Sequence, residues 1–221
     1  MIPKKTHCYF VPGLAASKEI FKNIRLPEDQ FEIHILEWLI PEKGEALSAY
    51  AQRMAERVVH QDVVLIGVSF GGVVAQEMCA FFKPKQLIII SSVKTKHELP
   101  KRLKAVRKTG IYKLVPTGWA LSVKDLTKLA IGPRSRKRLK LYQQYLWMRD
   151  KRYLDWAIKQ MVCWERETPL TDITHIHGDA DIVFPIKNIE ATHILPQGTH
   201  IMILNKGSKV SKLLENIMKS D

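Results

Sequence analysis

Six short apolar runs, alternating with helical patterns, constrain this chain more than any other feature. They are HCYFV (7–11), FEIHIL (31–36), DVVLIGV (62–68), KQLIIISS (85–92), DITHIHG (172–178) and ATHIL (191–195). Between and after them come stretches with apolar residues at helical spacing. Gly44–Val59 places Leu47, Tyr50, Ala51, Met54, Ala55 and Val58 on one side; Gly72–Phe82 and Ser208–Met218 read as helices too. Strands separated by helices imply βαβ units, a mostly parallel sheet of about six strands and helices on both its faces, a three-layer α/β/α sandwich.

The alternation breaks once. From about residue 94 to 164 no strand pattern occurs, but helical stretches such as LKLYQQYLWMRDKRYLDWAIKQMVCW do, and four of the five tryptophans (Trp119, Trp147, Trp156, Trp164) lie here. Strands resume directly afterwards, so this is a helical insertion within a single domain spanning 1–221. That length suffices for one α/β domain with a sizeable core.

Several classes are disfavoured. The apolar stretch behind the two N-terminal lysines ends in Pro12-Gly13, too soon for a signal peptide, and no run approaches the roughly eighteen residues of a membrane span. Three widely spaced cysteines (Cys8, Cys79, Cys163) suit reduced thiols in a cytoplasm rather than a disulfide framework. Neither CxxC nor HExxH occurs, so the spacing implies no metal, and nothing implies a cofactor.

The run DVVLIGV leads into GVSFGG, which places Ser69 between Gly67 and Gly71 at a strand-to-helix junction. G-x-S-x-G alone is a weak pattern. At such a junction it is either a nucleophile elbow or a structural Gly-Ser turn. A nucleophilic serine requires a base, and the base an orienting carboxylate. Downstream, IHGDADIVFP (176–185) offers Asp179 and Asp181 after one strand, and ILPQGTHIMIL (194–204) offers His200 after the last.

With GVSFGG, HGDADIVFP, a late GTH and a helical insertion in the cap position, the chain resembles the α/β-hydrolase fold superfamily over essentially its whole length. That resemblance makes Ser69 the nucleophile. Its G-x-x-D-x-x-x-P frame fits Gly178, Asp181 and Pro185, which selects Asp181 as the acid and leaves Asp179 to the turn; G-x-H selects His200 as the base. The oxyanion hole is then expected from the backbone amides of Phe70 and Leu14, with Pro12-Gly13 where many relatives carry His-Gly. The two strands that usually precede the first one here have no counterpart, so a trimmed sheet is expected. The implied chemistry is hydrolysis of a carboxylic ester or thioester through an acyl-serine. The alternative is a catalytically idle binding protein on the same fold.

Charge adds one further expectation. Of 35 basic and 22 acidic residues, 19 basic and only 4 acidic ones lie between Val93 and Gln160, and PRSRKRLK (133–140) is the densest basic run. This is either a solvated surface or a docking face for an anionic substrate such as a CoA thioester, an acyl carrier protein or an anionic membrane surface. No recognition motif supports nucleic acid. Trp119, Trp147, Met148 and Trp156 would suit an apolar acyl pocket, or simply the insertion's own core.

Overall fold

The structure, a computed structural model, describes residues 5–110 and 147–220. Its sheet consists of β1 (Thr6–Val11), β2 (Phe31–Ile35), β3 (Val64–Val68), β4 (Gln86–Ile90), β5 (Ile173–Gly178) and β6 (His193–Leu195). The order is β2-β1-β3-β4-β5-β6 and every neighbouring pair is parallel. The central strands are apolar without alternation because both faces are covered. Leu65, Ile66, Ile88, Ile89, Ile90 and Ile176 are fully buried, each contributing about 1.5–3 kcal/mol relative to an exposed side chain.

Helices α1 (Leu47–Ala55), α2 (Phe70–Met78) and α6 (Gly207–Lys219) flank the sheet, with a short α5 (Met202–Asn205) leading into α6. Apolar spacing decides which side each buries. In α1 it is Leu47, Tyr50, Ala51, Met54 and Ala55; in α6 it is Val210, Leu214 and Met218. Helix α2 starts at Phe70, two residues before the glycine-based expectation, because its Gly71 and Gly72 lie inside the first turn, where close packing requires them. Helix α1 starts at Leu47 rather than Gly44, since Gly44 has φ 75° and Ala46 is still extended.

Between β4 and β5 the described residues contain a 3₁₀ turn (Lys96–Glu98), α3 (Lys101–Thr109) and α4 (Lys151–Val162), and no strand. Asp150 caps α4 by accepting the Tyr153 N–H at 3.0 Å. Tyr153, Trp156, Ala157 and Met161 of α4 pack onto the core, and Trp156 Nε1 donates to the Glu45 carbonyl at 2.8 Å. Met148 is buried as well, whereas Trp147 is 67% exposed. Trp119 and the basic run 133–140 lie outside the described residues.

The chain runs from β1 out to edge strand β2 and returns through α1 to β3 on the other side of β1. Strand order therefore reverses between β1 and β3. In open parallel sheets the crevice beyond the carboxyl ends of such strands is where ligands bind. The segments leaving β1 and β3 are Pro12-Gly13-Leu14 and Ser69-Phe70.

Candidate functional site

Ser69 has φ 54° and ψ −121°, a conformation that L-residues rarely adopt. The turn is held from both sides. The Ser69 N–H donates to the Ile90 carbonyl at 2.9 Å, and Ser92 Oγ donates to the Ser69 carbonyl at 2.7 Å. Two glycines make it sterically feasible. A methyl at Gly67 would collide with the backbone of Gly71, and one at Gly71 with the carbonyls of Pro12 and Val11. The half-buried serine is thus presented at the carboxyl edge of the sheet, at the start of α2.

His200 and Asp181 arrive on the loops after β6 and β5. Gly178 at the end of β5 lies against Gly198, and the Ala180 N–H donates to the Gly198 carbonyl at 2.9 Å, which brings the two loops together. His200 Nε2 lies 2.9 Å from Ser69 Oγ, and His200 Nδ1 lies 2.8 Å from Asp181 Oδ2. Asp181 Oδ1 accepts the N–H groups of Val183 (2.7 Å) and Phe184 (3.0 Å), so both carboxylate oxygens are engaged. Burial alone would raise the Asp181 carboxyl. The His200 ring and the Phe184 amide outweigh it and hold the group below its ordinary value, so it is a carboxylate at neutral pH. A carboxylate facing Nδ1 requires a proton there, which leaves the Nε2 lone pair for the serine hydroxyl. Asp179 is exposed and outside this chain of contacts.

A second histidine stands behind the acid. Fully buried His177 approaches the Phe184 carbonyl with Nε2 at 2.8 Å, so Nε2 carries the proton and donates it there; the same atom is 3.5 Å from Asp181 Oδ2. Burial pushes His177 below its usual pKa, and buried His175, whose Nε2 lies 3.2 Å from His177 Nδ1, well below it. Burial thus holds both imidazoles neutral at pH 7.

Opposite Ser69 stands the segment after β1. A Cβ at Gly13 would touch Ser69 Cβ at 3.6 Å, which puts Leu14 beside the serine. The Ala15 N–H donates to Tyr153 Oη (3.3 Å) and the Ala16 N–H to the Gly13 carbonyl (3.0 Å), while the Leu14 N–H has no acceptor among the described residues. Phe70 is the first residue of α2, and amides of a first helical turn lack an intrahelical acceptor. Trp38 Nε1 donates to the Gly13 carbonyl at 3.0 Å, and its ring packs 5.6 Å from Phe70 and 5.5 Å from Tyr153. Trp38, Tyr153, Ser92 and His177 were not selected by motif. Each acts through a contact between elements distant in sequence, for which the sequence carries no local signal.

No protein-family model matches the chain, and no curated protein matches its sequence. Its fold does match solved structures. A hydrolase from Oleispira antarctica superposes with a TM-score of 0.75 at 14% identity, covering 99% of this chain and 93% of that one. An esterase from Exiguobacterium antarcticum gives 0.74 at 15% identity, with the same coverages. A bromoperoxidase from Bacillus anthracis gives 0.68 at 13% identity, covering 98% and 92%.

Proposed function

On the α/β-hydrolase fold that this chain adopts, we propose that it is a serine hydrolase cleaving a carboxylic ester of a small molecule. The observation that carries this reading is the continuous line from Ser69 Oγ through the His200 ring to Asp181, with contacts of 2.9 and 2.8 Å, behind a serine held at positive φ.

In the first half-reaction His200 Nε2 takes the Ser69 proton as Oγ attacks the ester carbonyl. Asp181 keeps the Nδ1 proton in place and stabilises the imidazolium. The Leu14 and Phe70 amides receive the negative oxygen of the tetrahedral intermediate, each such donor typically contributing a factor of about 10²–10³ in rate. The imidazolium then protonates the departing alkoxide. Water, deprotonated by His200, attacks the acyl-serine and releases the acid.

The esterase and hydrolase relatives in fold support the ester as substrate class, though bromoperoxidase chemistry occurs on the fold too. A binding protein would have no use for the aligned Ser69, His200 and Asp181, which argues against the idle alternative. A thioester carried by CoA or an acyl carrier protein is the finer variant, motivated by the basic segment of the insertion. Three unpaired thiols suit the cytoplasm, and no helix among the described residues is long and apolar enough to cross a membrane. Turnover of p-nitrophenyl esters of increasing chain length, beside the matching acyl-CoAs, tests the substrate class. Hydrolysis of the esters that vanishes in Ser69→Ala is expected; turnover that survives this substitution overturns the reading.

A further inference from the structure

We propose that His7, His34 and His60, with Glu32 beside them, form a separate site that binds a divalent transition-metal ion of the zinc class. The site follows from sheet register. Directly opposed residues of neighbouring strands share a face, and the β1–β2 register opposes His7 to Glu32 and Tyr9 to His34. Two histidines, a carboxylate and a tyrosine therefore form a two-by-two grid on one face of the edge-strand pair. His60 joins them from the connection between α1 and β3.

Each of the three imidazoles offers a ligand nitrogen within 4.8 Å of the other two. His7 Nδ1 and His34 Nε2 are already 3.0 Å apart. Two nitrogens bound to one zinc at about 2.0–2.1 Å would lie roughly 3.0–3.4 Å apart, depending on the angle between them. Glu32 places Oε2 3.6 Å from His7 Nδ1 and Oε1 3.7 Å from His34 Nε2, within reach of the same point. The His60 ring stacks on His7 with centroids 3.6 Å apart, which holds it beside the other two imidazoles.

Tyr9 supplies the outer support that metal-bound imidazoles usually have. Its Oη lies 2.7 Å from His60 Nδ1 and accepts the Val59 N–H at 3.3 Å, fixing the plane of the ring. The Tyr9 ring also stacks on His34 at 4.6 Å. Three imidazoles and one carboxylate make a donor set suited to zinc, nickel or copper rather than to magnesium or calcium. The site is open to solvent: the side chains of His7, His34 and Glu32 are 18%, 23% and 50% exposed.

Such an ion would tie edge strand β2 to β1 and to the segment entering β3. His7 lies four residues before the carboxyl end of β1 at Val11, about 13 Å of strand, and His60 precedes β3 whereas Ser69 follows it, so the site lies toward the opposite end of the sheet from Ser69 and its role would be structural.

The test uses untagged full-length protein stripped with EDTA. Titration with cobalt(II) should develop visible d–d absorption that saturates at one equivalent and is abolished by added zinc. Zinc should raise the melting temperature by several degrees. His34→Gln and His60→Gln should each weaken zinc binding at least about 100-fold, and Tyr9→Phe about 10-fold. His200→Asn should bind as the wild type does, which separates this site from the serine hydrolase machinery. Absence of one-equivalent cobalt or zinc binding by the wild type overturns the proposal, whatever the variants do. So does undiminished binding by folded His34→Gln and His60→Gln.

Discussion

Replacing Asp181 by asparagine should invert the tautomer of His200. Oδ1 of the native carboxylate accepts two backbone N–H groups, from Val183 and Phe184, at 2.7 and 3.0 Å. An asparagine side chain keeps those two bonds by placing its carbonyl oxygen there. Flipping the amide would face its NH₂ toward two N–H donors and forfeit both bonds, about 1 kcal/mol each. The NH₂ is thereby forced into the Oδ2 position, 2.8 Å from His200 Nδ1. That nitrogen must then accept, the ring proton moves to Nε2, and His200 presents a donor rather than a base to Ser69. In Ser-His-Asp enzymes a wrong tautomer lowers kcat by about 10⁴, or about 5.4 kcal/mol of transition-state stabilisation. The fold should suffer little, about 1 kcal/mol, because the backbone bonds persist. Steady-state hydrolysis of a p-nitrophenyl ester, paired with urea denaturation, checks both numbers. A kcat within tenfold of the wild type would refute the tautomer argument, and loss of the folded state would refute the claim that the loop is held through Oδ1.

Three further outcomes follow from the same contacts. Gly71→Ala drives a methyl into the Pro12 and Val11 carbonyls and should cost about 3 kcal/mol or more, read from the urea midpoint. Ser92→Ala removes the donor to the Ser69 carbonyl; it should lower stability by about 1 kcal/mol and reduce kcat more than it changes KM. The folded pKa of Asp181 is depressed, so its contribution to stability is present above the unfolded value of about 3.9 and is lost as pH falls through the folded one. The stability gap between the wild type and Asp181→Asn should accordingly narrow as denaturation is repeated from about pH 6 down to about pH 3.

The sheet was readable because parallel strands covered on both faces are continuous apolar runs. VLIGV and QLIII need no partner to be identified, and their burial bears this out. Element ends were less readable. The apolar spacing starts the helix at Gly72, yet it begins at Phe70, with Gly71 and Gly72 inside its first turn where Pro12 and Ser92 press close. Ser69 and His200 could be placed because each follows its own strand, and the carboxyl ends of parallel strands meet along one edge; Asp181 and Asp179 follow the same strand, and only the resemblance to the α/β-hydrolase fold superfamily chose between them. His177 could not, since its role depends on Phe184 folding back to accept its proton. The cluster of His7, His34 and His60 was equally hidden. The alternation His7-x-Tyr9 and Glu32-x-His34 is visible, but only the β1–β2 register sets one pair beside the other, and only the loop after α1 adds His60. Trp156 and Met148 pack against the body of the fold, which the tryptophan-rich composition of the insertion does not distinguish from pocket lining.

The most direct test of the central claim is covalent. A fluorophosphonate reacts with a serine only when a neighbouring base removes its proton and an oxyanion site receives the phosphoryl oxygen. The native protein should be labelled stoichiometrically, with the adduct on the peptide containing Ser69, and Ser69→Ala and His200→Ala should remain unlabelled. A native protein that resists the reagent, or a Ser69→Ala variant labelled as readily as the wild type, would contradict the account.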